Sequence, residues 1–170
     1  KDVIKKILGK FRGKKFLDLG AGTGRLIPYL KDGGAEISAV DISEKMVELL
    51  KKKFPMIEAL PADSENLPFK DCSFDFVIAA FLIIHLKKLD KTFREVYRVL
   101  GEGGGFVVTN INQKKAPKIE LTDRSEIVID SYYHRPEDVV EALENNLFTI
   151  EKEEYVYEND VWINQIIKAV

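Results

Sequence analysis

The residues best able to do chemistry lie in Phe16-Leu17-Asp18-Leu19-Gly20-Ala21-Gly22-Thr23-Gly24-Arg25. Gly20 and Gly22 let a strand turn sharply into a helix while the backbone approaches a ligand, and a helix N-terminus there adds N–H donors. The spacing selects among ligands. A dinucleotide fingerprint needs a third glycine three residues after the second, and that position holds Arg25. A P-loop needs Gly-Lys-Ser/Thr after four intervening residues, and the stretch has no such sequence. Asp18, near the end of the apolar run, repels a pyrophosphate and suits a cationic ligand. Asp41 closes the next apolar run, where an acid in a doubly wound sheet hydrogen-bonds ribose hydroxyls. Together these features point to a nucleoside and argue against a diphosphate. Asp63, in Ala62-Asp63-Ser64-Glu65, is placed to accept from the exocyclic amine of an adenine.

The elements that must position these residues are legible from periodicity. Val3, Ile4, Ile7, Leu8 and Phe11 predict a short amphipathic helix ending around Gly9 to Gly13. Strands are expected at Lys15 to Leu19, Ala35 to Val40, Met56 to Leu60, Phe74 to Ala80 and Phe106 to Asn110. Between them come helices from Thr23 or Gly24 to about Lys31, from Glu44 to Lys53 with Ser43 as N-cap, and from Leu89 to Leu100. Alternating β and α with short connections imply a parallel sheet with helices on both faces. Ile111 to Ser131 is polar and reads as an excursion. A helix from Arg135 to Asn146, with Pro136 in its first turn, then precedes strands at Phe148 to Tyr157 and Val161 to Val170.

Composition narrows the classes. The 170 residues (19.4 kDa) are 45% hydrophobic and 32% charged, which suits one globular domain over residues 1–170. A net charge of −2 gives no global case for a nucleic-acid or anionic-membrane binder. It conceals two opposed ends: Lys1 to Lys15 has seven bases and one acid, and Pro117 to Asp160 has 13 acids and four bases. The basic end reads as a solvated helix face, and the acidic end disfavours a polyanionic substrate. Cys72 has no disulfide partner, and with only His85 and His134 no His/Cys metal cluster is expected. No apolar run approaches a membrane span, and a reducing, cytoplasmic setting is expected. The chain opens with Lys1-Asp2-Val3 and not with Met or a signal peptide, so residues upstream are expected.

Five segments follow one another at consistent spacing: Leu17 to Gly24, Val40-Asp41-Ile42-Ser43, Ala62 to Phe69, Phe74 to Leu86, and Arg98 to Gly104. This series resembles the class I S-adenosylmethionine-dependent methyltransferases, within them the small-molecule branch that includes ubiquinone and menaquinone C-methyltransferases. The resemblance is strong over Lys15 to Asn110. It implies a Rossmann-like, doubly wound, mostly parallel seven-stranded sheet in the order 3-2-1-4-5-7-6, with an antiparallel last strand. It also implies S-adenosylmethionine as cofactor, S-adenosylhomocysteine as product, and no metal. On this resemblance the turn of Asp18, Gly20, Ala21, Gly22 and Gly24 cradles the methionine moiety and Asp41 holds the ribose. Ile42 and Met46 flank the adenine, Asp63 and Ser64 reach its edge, and Ala80 lies beside the cofactor. Gly101-Glu102-Gly103-Gly104 stands where the family has Lys-Pro-Gly-Gly, which loosens a turn without touching an expected ligand contact.

Methyl transfer from a sulfonium is an in-line displacement, so alignment and exclusion of water suffice and no acid or base is obligatory. His85 is the candidate base or substrate-orienting group, and a loop histidine that satisfies backbone groups is the alternative. Tyr132, Tyr133 and His134 either line a pocket or cover the sheet edge, and Asp75 reads as structural. Ala79-Ala80-Phe81 stands in place of the Asn/Asp-Pro-Pro-aromatic motif of enzymes that methylate exocyclic amines or glutamine amides. The resemblance to the small-molecule branch implies a small-molecule acceptor. The alternatives are a non-catalytic cofactor-binding scaffold subunit and a transferase acting on tRNA or protein.

Overall fold

In the computed structural model, residues 2–114, 118–120, 126–128 and 130–170 are described. β1 (Lys15–Leu19) is an interior strand of the sheet, buried from Phe16 onward. It pairs in parallel with β2 (Glu36–Asp41) on one side and β4 (Phe74–Ala79) on the other. β3 (Glu58–Pro61) extends the β2 side, and β5 (Leu100–Ile111) extends the β4 side. β6 (Lys118–Glu120) and β7 (Glu126–Val128) form a separate antiparallel pair inside the expected excursion. Residues 115–117, 121–125 and 129 of that excursion lie outside the described residues. β8 (Ile150–Glu158) and β9 (Val161–Ala169) complete the main sheet in the order β3-β2-β1-β4-β5-β9-β8. These are its sixth and seventh strands, so the order is 3-2-1-4-5-7-6 with the last strand antiparallel, as expected.

Strand alternation sorts the core into two faces. Phe16, Ile78, Val107 and Ile166 point to the side covered by α1 (Asp2–Leu8) and α2 (Ile27–Asp32), through Ile4, Ile7, Leu8 and Leu30. α3 (Glu44–Lys53) adds Val47 and Leu50 against Ala39 and Ala59. Leu17, Leu19, Val77, Phe106 and Val108 point the other way, onto Phe93, Val96 and Val99 of α4 (Asp90–Val99) and Val139 and Leu143 of α5 (Pro136–Asn145). Burying each large side chain contributes about 1.5–3 kcal/mol, and truncating fully buried Phe93 to Ala removes about 3–5 kcal/mol.

Two boundaries differ from the sequence reading by more than two residues. α2 begins at Ile27, not at Thr23 or Gly24, because Gly24 takes φ +79° and Pro28 admits a helix only in its first turn. The glycine turn is therefore not itself a helix N-terminus. β5 begins at Leu100, not Phe106: Leu100 pairs with Phe74, a bulge follows, and Gly105 sits opposite Phe76. A Cβ on Gly105 would come 2.7 Å from the Phe76 ring, so the missing side chain is what lets the ring lie across the strand. Asp75 is structural as expected, accepting from Lys14 Nζ and from the Lys15 N–H, both at 2.8 Å.

Candidate active site

The parallel strands β1 to β5 all end on one edge of the sheet, and their following loops converge there. The turn after β1 is the tightest. Gly20, Gly22 and Gly24 all have positive φ, at +71°, +54° and +79°. The N–H groups of Gly20 and Ala21 both donate to the Val40 carbonyl, at 2.9 and 3.0 Å, which ties the turn to the end of β2. A Cβ on Gly20 would approach Leu82 Cδ1 to 2.9 Å, so glycine allows the loop after β4 to close over it.

Asp41 is held by the same turn. Its Oδ2 accepts from the Gly22 N–H at 2.8 Å and its Oδ1 from the Ser43 N–H at 2.9 Å. Two backbone donors fix the orientation and leave each oxygen a further lone pair for hydroxyl donors. Ser43 caps α3 as predicted, its Oγ accepting from the Met46 N–H. Beyond Asp41, Ile42 is 75% and Met46 37% exposed, apolar surface at the rim of a cleft.

That cleft, about 520 Å³, is lined by ten of the twelve residues singled out in the sequence. They are Gly20, Ala21, Gly22, Asp41, Ile42, Met46, Asp63, Ser64, Ala80 and His85. Asp18 and Gly24 do not line it. Gly24 packs under the Phe54 ring, where a Cβ would meet Cε2 at 2.8 Å. Asp18 is 2% exposed, and its Oδ2 has no hydrogen-bond partner. Burial, with a smaller push from the Asp41 charge, raises its carboxyl from the ordinary 3.8 to about 7. A buried carboxyl oxygen left unpartnered behind a glycine turn is costly as a structural element, and a carboxyl so perturbed marks a candidate functional group.

The loop after β3 is fastened from a distance. Ser64 Oγ and Thr92 Oγ1 are hydrogen-bonded at 2.9 Å inside the protein, so Ser64 serves the scaffold, while Asp63 Oδ1 accepts from the Glu65 N–H. Arg98 donates to the carbonyls of Leu67 and Phe69, to Asp71 and, through two nitrogens, to Glu95. These partners hold Glu95 below the usual carboxylate range and raise Arg98 above its own. The sequence reading assigned Arg98 no such part, since its contacts lie some 30 residues away in the chain.

The loop after β4 closes the other side. Phe81 has φ +63°, a conformation costing a bulky residue about 1–3 kcal/mol, and its N–H donates to buried Thr109 Oγ1 at 2.8 Å. Arg25 stacks on it, guanidinium carbon 4.9 Å from the ring centroid, and both residues line the cleft. Ile83–His85 form one 3-10 turn. A strap from residues 130–134 holds that turn. Tyr132 N–H donates to the Ile84 carbonyl at 2.7 Å. His134 Nε2 lies 3.0 and 2.9 Å from the Ile83 and Leu86 carbonyls and therefore carries the proton. Neither Tyr132 nor His134 is among the cleft-lining residues; they brace the turn from behind. His85 itself is exposed, with Nδ1 3.4 Å from the Asp130 carbonyl. Among the described residues no three His, Cys, Asp or Glu side chains gather as metal ligands, and no helix is long and apolar enough to cross a membrane.

Comparison with known proteins gives a consistent assignment. Residues 17–108 match the family described as "Methyltransferase domain". A demethylmenaquinone methyltransferase of Chlorobaculum tepidum is 38% identical over 94 residues, 55% of this chain and 39% of that protein. A ubiquinone/menaquinone biosynthesis C-methyltransferase of Rickettsia prowazekii is 37% identical over 111 residues, 58% of this chain and 45% of that protein. The chain thus spans less than half the length of these relatives. In three dimensions an S-adenosylmethionine-dependent methyltransferase from Mesorhizobium loti superposes with a TM-score of 0.83 at 19% identity, covering 99% of this chain and 95% of the other. A Pyrococcus horikoshii protein gives 0.80 at 26% identity, covering 99% and 85%.

Proposed function

The chain belongs to the class I S-adenosylmethionine-dependent methyltransferases, and on that premise we propose that it methylates a small-molecule acceptor in the cleft at the carboxyl edge of its sheet. The observation that carries this reading is the convergence on one cleft of a left-handed glycine turn, a carboxylate fixed by two backbone donors, and an exposed Ile42–Met46 rim. The residues fit the cofactor's chemistry. Asp41 offers lone pairs to ribose hydroxyls, Ile42 and Met46 offer apolar surface to adenine, and Asp63 offers an acceptor to its amine. The unpartnered oxygen of Asp18 supplies counter-charge behind the turn.

When bound, S-adenosylmethionine supplies a sulfonium methyl group that an acceptor's electron pair displaces in line, leaving S-adenosylhomocysteine. The protein's part is placement and drying. Gly20 and Ala80 bring backbone close to the reacting end, and Leu82 and Leu86 exclude water from it. His85, whose Nε2 has no protein partner among the described residues, orients the acceptor or accepts its proton. The relatives named for menaquinone and ubiquinone biosynthesis support a quinol-like acceptor methylated at carbon. We place the enzyme in the cytoplasm, as a single domain over the length described.

Calorimetry tests the reading. Wild type is expected to bind S-adenosylmethionine and S-adenosylhomocysteine in the micromolar range, and Asp41→Ala to lose at least tenfold because ribose recognition goes with the carboxylate. Absence of binding to the folded wild-type protein would reject it. Release of S-adenosylhomocysteine with a hydroquinone acceptor separates a working transferase from a scaffold subunit.

A further inference from the structure

The cleft is electrostatically divided. Strand order puts the ends of β2 and β3, with Asp41 and Asp63, on one side of the glycine turn, and the loop after β4, with Phe81 and His85, on the other. On that second side stands Arg25. It is exposed, its guanidinium carbon sits over the Phe81 ring, 4.9 Å from the centroid, and among the described residues it has no carboxylate partner. The two carboxylates that line the cleft, Asp41 and Asp63, thus stand on the nucleoside side, and Arg25 stands against the β4 side.

The perch under Arg25 is built. Phe81 occupies a left-handed backbone conformation at φ +63°, strained for a residue of its size. Its N–H is pinned by the hydroxyl of Thr109, a residue 2% exposed on β5. Strain of this kind persists where surrounding structure over-determines it, and it gathers at ligand sites. Here it aims an aromatic face at the mouth of the cleft. A guanidinium stacked on a ring keeps its in-plane N–H donors free at the edge, the arrangement that takes an anionic oxygen. Around it the wall is apolar, from Leu82 and Leu86.

Resting on the cofactor reading above, we propose that Arg25, stacked on Phe81, recognises the acceptor. The acceptor of this enzyme then carries an anionic oxygen, a carboxylate or an ionised phenol, on a flat apolar body. Arg25 is a specificity determinant: it orders the acceptor relative to the methyl-bearing end, and with a phenolate it also holds the negative charge that makes the ring electron-rich.

The test uses the wild-type protein saturated with S-adenosylhomocysteine and three probes of similar shape: 2-naphthoate, 1-nitro-2-naphtholate, whose nitro group keeps the phenol ionised at neutral pH, and neutral 2-naphthamide. Calorimetry is expected to show one or both anions binding roughly tenfold or more tighter than the amide, the better anion naming the oxygen type. Arg25→Gln is expected to erase that preference, Arg25→Lys to keep part of it, and Phe81→Leu to weaken it while the charge remains. Arg25 is exposed, so its variants are expected to melt with the wild type, which a thermal scan checks. Equal binding of all three probes to wild type overturns the proposal. So does a tenfold loss of S-adenosylhomocysteine affinity in Arg25→Gln, which gives Arg25 to the cofactor instead. Failure of wild type to bind S-adenosylhomocysteine at all is a different result and sinks the cofactor reading beneath it.

Discussion

Replacing Asp18 by Asn gives a prediction with opposite signs in two assays. The carboxyl is 2% exposed, its Oδ2 is unpartnered, and burial moves its pKa from 3.8 to about 7. Because the folded value lies above the unfolded one, the ionised form costs stability. That cost is full above pH 7 and disappears as pH falls toward 3.8, where both states hold the proton. The gap corresponds to a ceiling of about 4 kcal/mol. Asp18→Asn is therefore expected to raise the melting temperature of the ligand-free protein at pH 8, with the gain vanishing near pH 4. Ligand binding responds the other way. A cation entering the glycine turn favours the carboxylate, so near neutral pH the wild type is expected to release a fraction of a proton on binding, and its affinity to fall as the pH drops below neutrality. Asn neither releases the proton nor supplies the charge, so the variant binds S-adenosylhomocysteine more weakly at pH 7, with a flat profile. Calorimetry in buffers of different ionisation enthalpy reads the proton directly. A variant that keeps the wild-type proton release, or gains no stability at pH 8, would refute the assignment of Asp18 as the turn's counter-charge.

Gly20→Ala meets both a positive φ and the Leu82 side chain at 2.9 Å, whereas Gly22→Ala meets only the positive φ, with nothing within 4 Å. Denaturant melts should show about 1–2 kcal/mol lost at Gly22 and more at Gly20. His134→Ala removes the donor shared by the Ile83 and Leu86 carbonyls, and about 1–3 kcal/mol of stability with it. Hydrogen exchange at the His85 and Leu86 amides should accelerate while the β1 amides stay protected; unchanged exchange in the 3-10 turn would contradict the strap. Arg98→Ala frees the loop after β3, with about 1–2 kcal/mol lost in denaturation and weaker nucleoside binding. Intact affinity would show that Asp63 needs no such support.

The glycine turn, Asp41 and the alternating strands could be read from local sequence because each depends on neighbours in the chain. Gly20 and Gly22 must be glycine for the backbone to turn, and Ser43 announces α3 by the capping chemistry of its own hydroxyl. The start of α2 is not legible in the sequence, because Thr23 to Leu26 satisfy helical patterning while Gly24 takes a positive φ against Phe54. The beginning of β5 was hidden for a different reason. Glycines signal a loop locally, and only the pairing with β4 and the Phe76 ring over Gly105 make them strand. The parts that shape the acceptor side rest on contacts between distant residues: Arg25 on Phe81, Phe81 on Thr109, His134 on the turn at Ile83–His85, and Arg98 on the loop after β3. No periodicity announces such pairings. Arg25 was visible only as the residue that breaks a dinucleotide fingerprint, and its perch on Phe81 appears only once β1 and β4 lie side by side.

A crystal structure of the protein with S-adenosylhomocysteine tests the central claim most directly. Ribose hydroxyls are expected on the Asp41 carboxylate and adenine between Ile42 and Met46. The amino acid end is expected over the Gly20–Gly22 turn, with Arg25 and His85 facing the space beyond the sulfur. Electron density for the nucleoside elsewhere, or a ribose that does not touch Asp41, would contradict it.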